Sequence, residues 1–209
     1  FSTAMLAIAF AGAVALAVWE APKGNWDWEL FATLLAFSAF SDLMSIETES
    51  RLKISANFLA LITAIVFLGG TAAALIGVIS ILIGWLRYRE SFNDLLVNVV
   101  TFMTFPLLVG VGFQELLGAT QATSDDVAFY VFVFGAFSCG ILLNFLMIGA
   151  YTCYVERSAF IPKIRTVMIP MLPSELAAAL MAVGVAFIYT QIGLAGVALS
   201  QIDNVSPNL

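Results

Sequence analysis

Residues 54–86 read ISANFLALITAIVFLGGTAAALIGVISILIGWL, with no charged side chain anywhere in the run. As one straight helix this stretch would extend about 50 Å at 1.5 Å per residue, against a hydrocarbon core of about 30 Å. Gly69-Gly70 in its middle therefore predicts a tight turn between two short helices, Ile54–Leu68 and Thr71–Leu86. Helices that short must tilt, thin the bilayer or sit inside a bundle.

The same reading extends outward over the chain. Further apolar runs cover Phe1–Trp19, Trp28–Ser41, Leu95–Leu117, Val127–Val155, Val167–Tyr189 and a short Gly193–Ile202. The expected fold class is all-α, a polytopic transmembrane helical bundle of seven or eight spans, some short or broken at Gly69-Gly70. It forms a single integral membrane domain over residues 1–209, and the eighth span turns on the last stretch of about ten residues. Composition agrees: 62% of residues are hydrophobic and 11% charged, and mean hydropathy is +1.02. A soluble fold of 209 residues has too little interior for so much apolar side chain. The first residue is Phe, so an N-terminal piece is expected to precede it; Phe1–Trp19 lacks the basic flank of a signal peptide.

Basic residues then orient the spans. Arg51 and Lys53, Arg87 and Arg89, and Arg157, Lys163 and Arg165 fall in alternate connections, leaving Lys23 as the exception. The positive-inside rule places those three loops in the cytoplasm. Trp19, Trp26, Trp28, Trp85 and Tyr88 cluster at span ends, where an aromatic belt belongs. With 8 Lys+Arg against 14 Asp+Glu, nucleic acid is not an expected partner.

The chain contains no histidine, which removes His ligands, His-based triads and His proton relays. Cys139 and Cys153 lie about 21 Å apart along one helix, too far for a disulfide, and read as buried thiols. No Walker A, G-x-S-x-G, C-x-x-C or H-E-x-x-H motif occurs. No catalytic residue, metal site or cofactor is expected. An intramembrane enzyme is disfavoured because no paired carboxylates or nucleophile–base pair share an evident depth.

Polar groups within spans are the candidate recognition residues. Asn98 and Thr101, with Thr104, can share one helix face, and Asn144 sits near the centre of its span with Ser138 and Gly140 above it. These side chains either bond neighbouring helices together or line a small polar cavity. Gln114 and Glu115 sit near Asp125 and Asp126 at the outer rim, either solvated or holding a cation or amine. Arg87, Arg89, Phe92 and Asn93 form a candidate cytoplasmic docking surface beside Glu90 and Asp94. Pro106 predicts a kink near Phe102, and Glu175 after Pro173-Ser174 reads as a helix-start acid. Ile46-x-Thr48 and Leu52-x-Ile54 suggest a small hairpin around Glu49-Ser50.

Taken together, the hairpin-like lead-in to Ile54–Leu68, Gly69-Gly70, the small-residue helix Thr71–Gly84, Phe92-Asn93, mid-helix Asn144, Glu156-Arg157 and Tyr189-x-x-x-Gly193 form a pattern. It resembles the multipass N-terminal membrane sensor domains of bacterial HD-GYP and GGDEF (cyclic-di-GMP) signalling proteins. More distantly, it resembles the substrate-binding S-components of energy-coupling-factor transporters. It departs in having Gly69-Gly70 where Gly-Pro is common. The resemblance implies a sensory, signal-input domain that binds a small molecule or lipid and couples to a cytoplasmic output partner. The alternatives are a substrate-binding subunit of a transporter and a structural subunit of an intramembrane complex, each with a membrane partner subunit.

Overall fold

The computed structural model describes residues 3–21, 26–43, 46–47, 53–54, 57–89 and 91–193. Almost all of them are helical: α1 (Thr3–Glu20), α2 (Trp28–Leu43), α3 (Asn57–Phe67), α4 (Gly70–Tyr88), α5 (Phe92–Thr120), α6 (Val127–Glu156), α7 (Phe160–Lys163) and α8 (Ile169–Ile192). A π turn at Ile164–Met168 joins α7 to α8. Between α2 and α3, β1 (Ile46–Glu47) pairs antiparallel with β2 (Lys53–Ile54), Ile46 opposite Ile54 and Glu47 opposite Lys53. That register centres the hairpin where the alternation of residues 46–54 had suggested it.

Among the described residues four helices are long and apolar enough to cross a membrane: Gly70–Tyr88, Phe92–Thr120, Val127–Glu156 and Phe160–Ile192. Residues 194–202 of the expected eighth span lie outside the described residues, as does Arg51. The last of the four helices begins seven residues before the expected Val167, so Lys163 and Arg165 are helical. Glu175 correspondingly stands well inside this helix and not at its start. Pro170 and Pro173 do not break it. Pro170 lies just past the π turn, so the Thr166 carbonyl that it leaves without a donor falls within the widened stretch, where it is more easily accommodated.

The glycine pair makes the predicted turn. Gly69 adopts φ 94°, a conformation open to glycine at little cost, and its N–H and that of Leu68 both reach the Ala64 carbonyl. Gly70 then opens α4 in very close contact with α5: a Cβ there would lie 2.8 Å from the Pro106 carbonyl oxygen, and one on Gly110 would lie 2.6 Å from Gly70 Cα. Only hydrogen fits between the two backbones.

Helix α3 occupies the heart of the bundle. Every residue from Leu59 to Val66 is buried, so its sequence is apolar all round and shows no amphipathic stripe. Phe58 stacks on Phe105 of α5 with centroids 4.9 Å apart and meets Phe137 of α6 edge-on at 6.0 Å. Phe67 packs on Tyr189 of α8 at 4.3 Å. Thr71 donates to the Ala17 carbonyl, tying the start of α4 to the end of α1. Cys139 is exposed and Cys153 buried, so only the second matches the expected buried thiol.

These contacts make successive helices run in opposite directions, which gives the bundle two chemically distinct ends. Arg87, Arg89, Arg157 and Lys163 gather at one, the basic end, where Lys163 pairs with Glu156 at 2.9 Å. Asp27, Glu29, Glu115, Asp125 and Asp126 gather at the other. There Asp27 accepts from the backbone N–H groups of Glu29 and Leu30 and caps α2. Asp126 accepts from the Thr123 N–H and, secondarily, from its hydroxyl, and these bonds hold its carboxyl below the ordinary value.

Candidate functional site

The most polar interior feature joins α2, α3 and α4. Ser38, Asp42, Asn57 and Ser80 are all buried. Ser38 Oγ donates to Asn57 Oδ1, shares a 2.5 Å hydrogen bond with Ser80 Oγ, and Asn57 Nδ2 donates to Asp42 Oδ2 at 3.0 Å. The arrangement follows from local sequence: Ser38 and Asp42 are four apart on α2 and face the same way, while Asn57 is the first residue of α3. A buried carboxyl is costly to keep unless it is hydrogen-bonded. Here one polar chain, serine to serine to amide to carboxyl, supplies those bonds.

Helix registers then set the level of Asp42. Helices α2 and α4 run parallel, with Ser38 opposite Ser80 and the Tyr88 hydroxyl donating to the Leu43 carbonyl at 3.1 Å. Asp42 therefore stands beside the last turns of α4. Helices α4 and α5 run antiparallel, with Gly70 against Leu107 and Gly110 and with Gly77 against Phe102. Continuing that register places Asp94, in the first turn of α5, beside Trp85. The two carboxylates are thus level to within about one helical turn, a shared depth that the apolar runs alone did not reveal. Gly84, buried at the same level, has no described atom within 4 Å of where a Cβ would sit. Asp94 Oδ2 accepts from Ser91, and its Oδ1 accepts from the Tyr151 hydroxyl at 3.3 Å.

A second polar feature lies between α5 and α6. Thr101 Oγ1 and Asn144 Oδ1 are the two buried side-chain polar atoms that lack a hydrogen-bond partner among the described residues. The antiparallel register that brings Asp94 to Tyr151, and Phe105 to within 3.6 Å of a Cβ on Gly140, pairs Thr101 with Asn144 midway. Leaving such a group unpaired costs about 1–3 kcal/mol. Thr101 also differs from Thr71 and Thr190, helical threonines whose hydroxyls bond the Ala17 and Phe187 carbonyls. Thr33, Thr63, Thr104, Thr120 and Thr152 all donate back to the carbonyl four residues earlier.

The remaining sequence candidates separate. Asn98 is half-buried one turn from Thr101 and borders the same seam. Ser138 is exposed and donates to the Phe134 carbonyl, so it is not brought into that seam. Gln114 and Glu115 are exposed toward the acidic end, about 20 Å along α5 from Thr101. Arg87, Arg89, Phe92 and Asn93 are all exposed at the basic end, and Arg89 closes α4 in a left-handed conformation with its N–H on the Trp85 carbonyl. The Ser38–Asp42–Asn57–Ser80 network was hidden in the sequence because Ser38, Asn57 and Ser80 each sit singly inside an apolar run and Asp42 falls just past the end of one. The i, i+4 spacing of Ser38 and Asp42 was its available signal. No protein-family model, curated protein or solved structure matches the chain.

Proposed function

We propose that this chain is an integral membrane protein of at least seven spans whose basic end faces the cytoplasm. We further propose that Asp42 and Asp94 form an acid–base pair there, hydrolysing an amide bond of a membrane-associated substrate. The observation that carries this reading is the common level of the two carboxylates, one buried in a polar network and one at a helix start. In a chain with no histidine, a pair of carboxyl groups is a natural choice for acid–base work. One ionised carboxylate would take a proton from water as its oxygen attacks the carbonyl carbon. The other, protonated, would give its proton to the substrate, and the C–N bond then breaks to leave an acid and an amine.

Mapping of peptide N-termini in membranes from cells expressing wild type, Asp42→Asn or Asp94→Asn tests this. The wild type should generate termini absent from both variants at equal protein level. Identical termini in all three overturn the reading.

A second reading is the sensory, signal-input domain implied by the family resemblance, and the unpartnered Thr101 and Asn144 atoms favour it. A ligand seated between α5 and α6 would bear on Asp94 and the α4–α5 turn, and so on any output partner at the basic end. Coupling requires that the ligand bind two arrangements unequally. An environment-sensitive dye on Arg89→Cys should change its emission when that seam is occupied, and an unchanged spectrum with the seam full sinks the reading.

A further inference from the structure

We infer that the Thr101–Asn144 seam is a binding site for a hydroxyl group carried by an otherwise apolar molecule. Three observations carry it. Thr101 is 1% exposed, yet its hydroxyl has no partner among the described residues, whereas Thr104 one turn on donates back to the Val100 carbonyl. Asn144 Oδ1, on the facing helix at the same level, also has no partner among the described residues. The two do not bond each other, so a third group that can both accept and donate would complete them. Asn144 Oδ1 only accepts, so the guest must donate to it, while the Thr101 hydroxyl can donate in return. A hydroxyl does both; a bare carbonyl or ether does not.

The surroundings select an uncharged guest. On the acidic-end side the seam meets Phe102 and Phe105, which pack edge-on at 5.5 Å, and Phe58 stacked on Phe105. On the basic-end side the nearest charge is Asp94, two turns away, with its oxygens already engaged by Ser91 and Tyr151. Such a wall suits an aromatic or hydrocarbon body more than an ammonium or a phosphate. Asn144 is only part-buried, which gives the guest a way in from the α6 surface. The inference deepens the second reading above by naming the ligand chemistry, and it is independent of the carboxylate pair.

The test uses the whole chain in lipid nanodiscs with 4-fluorophenol as probe and 4-fluorotoluene as its hydroxyl-free control, read by fluorine NMR line width. The phenol should broaden beyond its value in empty nanodiscs, and the toluene should not. Thr101→Val and Asn144→Leu should each weaken phenol binding roughly fivefold, the equivalent of one hydrogen bond. Thr101→Ser, which restores the hydroxyl, should recover it, which separates lost binding from lost folding. Equal behaviour of the two probes, or phenol binding indifferent to all three substitutions, overturns the inference and leaves at most a buried water. Phenol binding without a change in the Arg89→Cys dye leaves the site standing and removes the sensory reading.

Discussion

The hydroxyl of Tyr88, the last residue of α4, donates to the carbonyl of Leu43, the last residue of α2, at 3.1 Å. This bond ties the two parallel helices together at their ends and fixes Asp42 beside the turn that leads to Asp94. The relation predicts a cross-link. In a background lacking Cys139 and Cys153, Asp42→Cys and Asp94→Cys should join through a flexible bis-maleimide. Asp42→Cys with Glu115→Cys should not, because Glu115 lies about 32 Å along α5 from Asp94. Equal yields from the two pairs would refute the helix registers.

The Gly70–Gly110 approach predicts an asymmetric response to alanine. Gly110→Ala places a methyl group 2.6 Å from Gly70 Cα, against backbone that cannot rotate away, and should cost about 1–3 kcal/mol as α4 and α5 are forced apart. Gly112→Ala, two residues on, meets no described atom within 4 Å and should be neutral or stabilising by up to about 1 kcal/mol. Thermal unfolding of the detergent-solubilised protein checks both, and similar effects at the two positions would show that the backbones are not in contact.

How far this was legible in the sequence depends on what each residue had to reveal. Gly69-Gly70 announced its turn because two glycines inside a 33-residue apolar run leave few other readings. Thr101 and Asn144 were legible as polar groups in spans, although nothing in a one-dimensional pattern said that they face each other. The level shared by Asp42 and Asp94 was invisible because it depends on two inter-helix registers, set by Ser38 on Ser80 and by Gly77 on Phe102. Glu175 was misplaced for a different reason. Pro173 looked like a helix start, yet the helix runs through it from Phe160 to Ile192, a continuity that periodicity does not encode.

The buried polar chain predicts a graded loss of stability. Asn57→Leu removes both the acceptor of Ser38 and a donor to the buried Asp42 carboxyl, and should cost about 2–3 kcal/mol. Ser80→Ala removes one terminal hydroxyl and should cost about 1 kcal/mol. The pair Ser38→Ala and Ser80→Ala should be less damaging than the sum of the singles, since they share one bond. Additive losses in chemical unfolding would mean that the four side chains do not act as a network.

At the acidic end, Asp126 predicts a pH dependence whose sign follows from its bonds. The Thr123 N–H and hydroxyl favour the ionised carboxylate, so its folded-state value lies below its unfolded one. Its contribution is therefore complete above the unfolded carboxyl value of about 3.9 and fades as pH falls through the lower, folded value. Asp126→Asn should flatten the acid limb of the unfolding-temperature profile while changing little at pH 7. A steeper acid limb in the variant would reverse the sign and contradict the loop geometry.

The charge asymmetry of the two ends yields the last prediction, which concerns the membrane itself. Ser124 precedes α6 at the acidic end and Ser158 follows it at the basic end, separated by a 30-residue apolar helix. At 1.5 Å per residue α6 is about 45 Å long, enough to cross a core of about 30 Å even when tilted. Single cysteines at the two positions, again without Cys139 and Cys153, should label from opposite faces of sealed vesicles with a membrane-impermeant maleimide. Ser158→Cys should react only from the cytoplasmic face, where Arg157, Lys163 and Arg165 are expected by the positive-inside rule. Labelling of both from one face would show that α6 does not span. Opposite faces with Ser158→Cys outside would keep the span and invert the orientation, putting the Asp42–Asp94 level on the other side of the membrane.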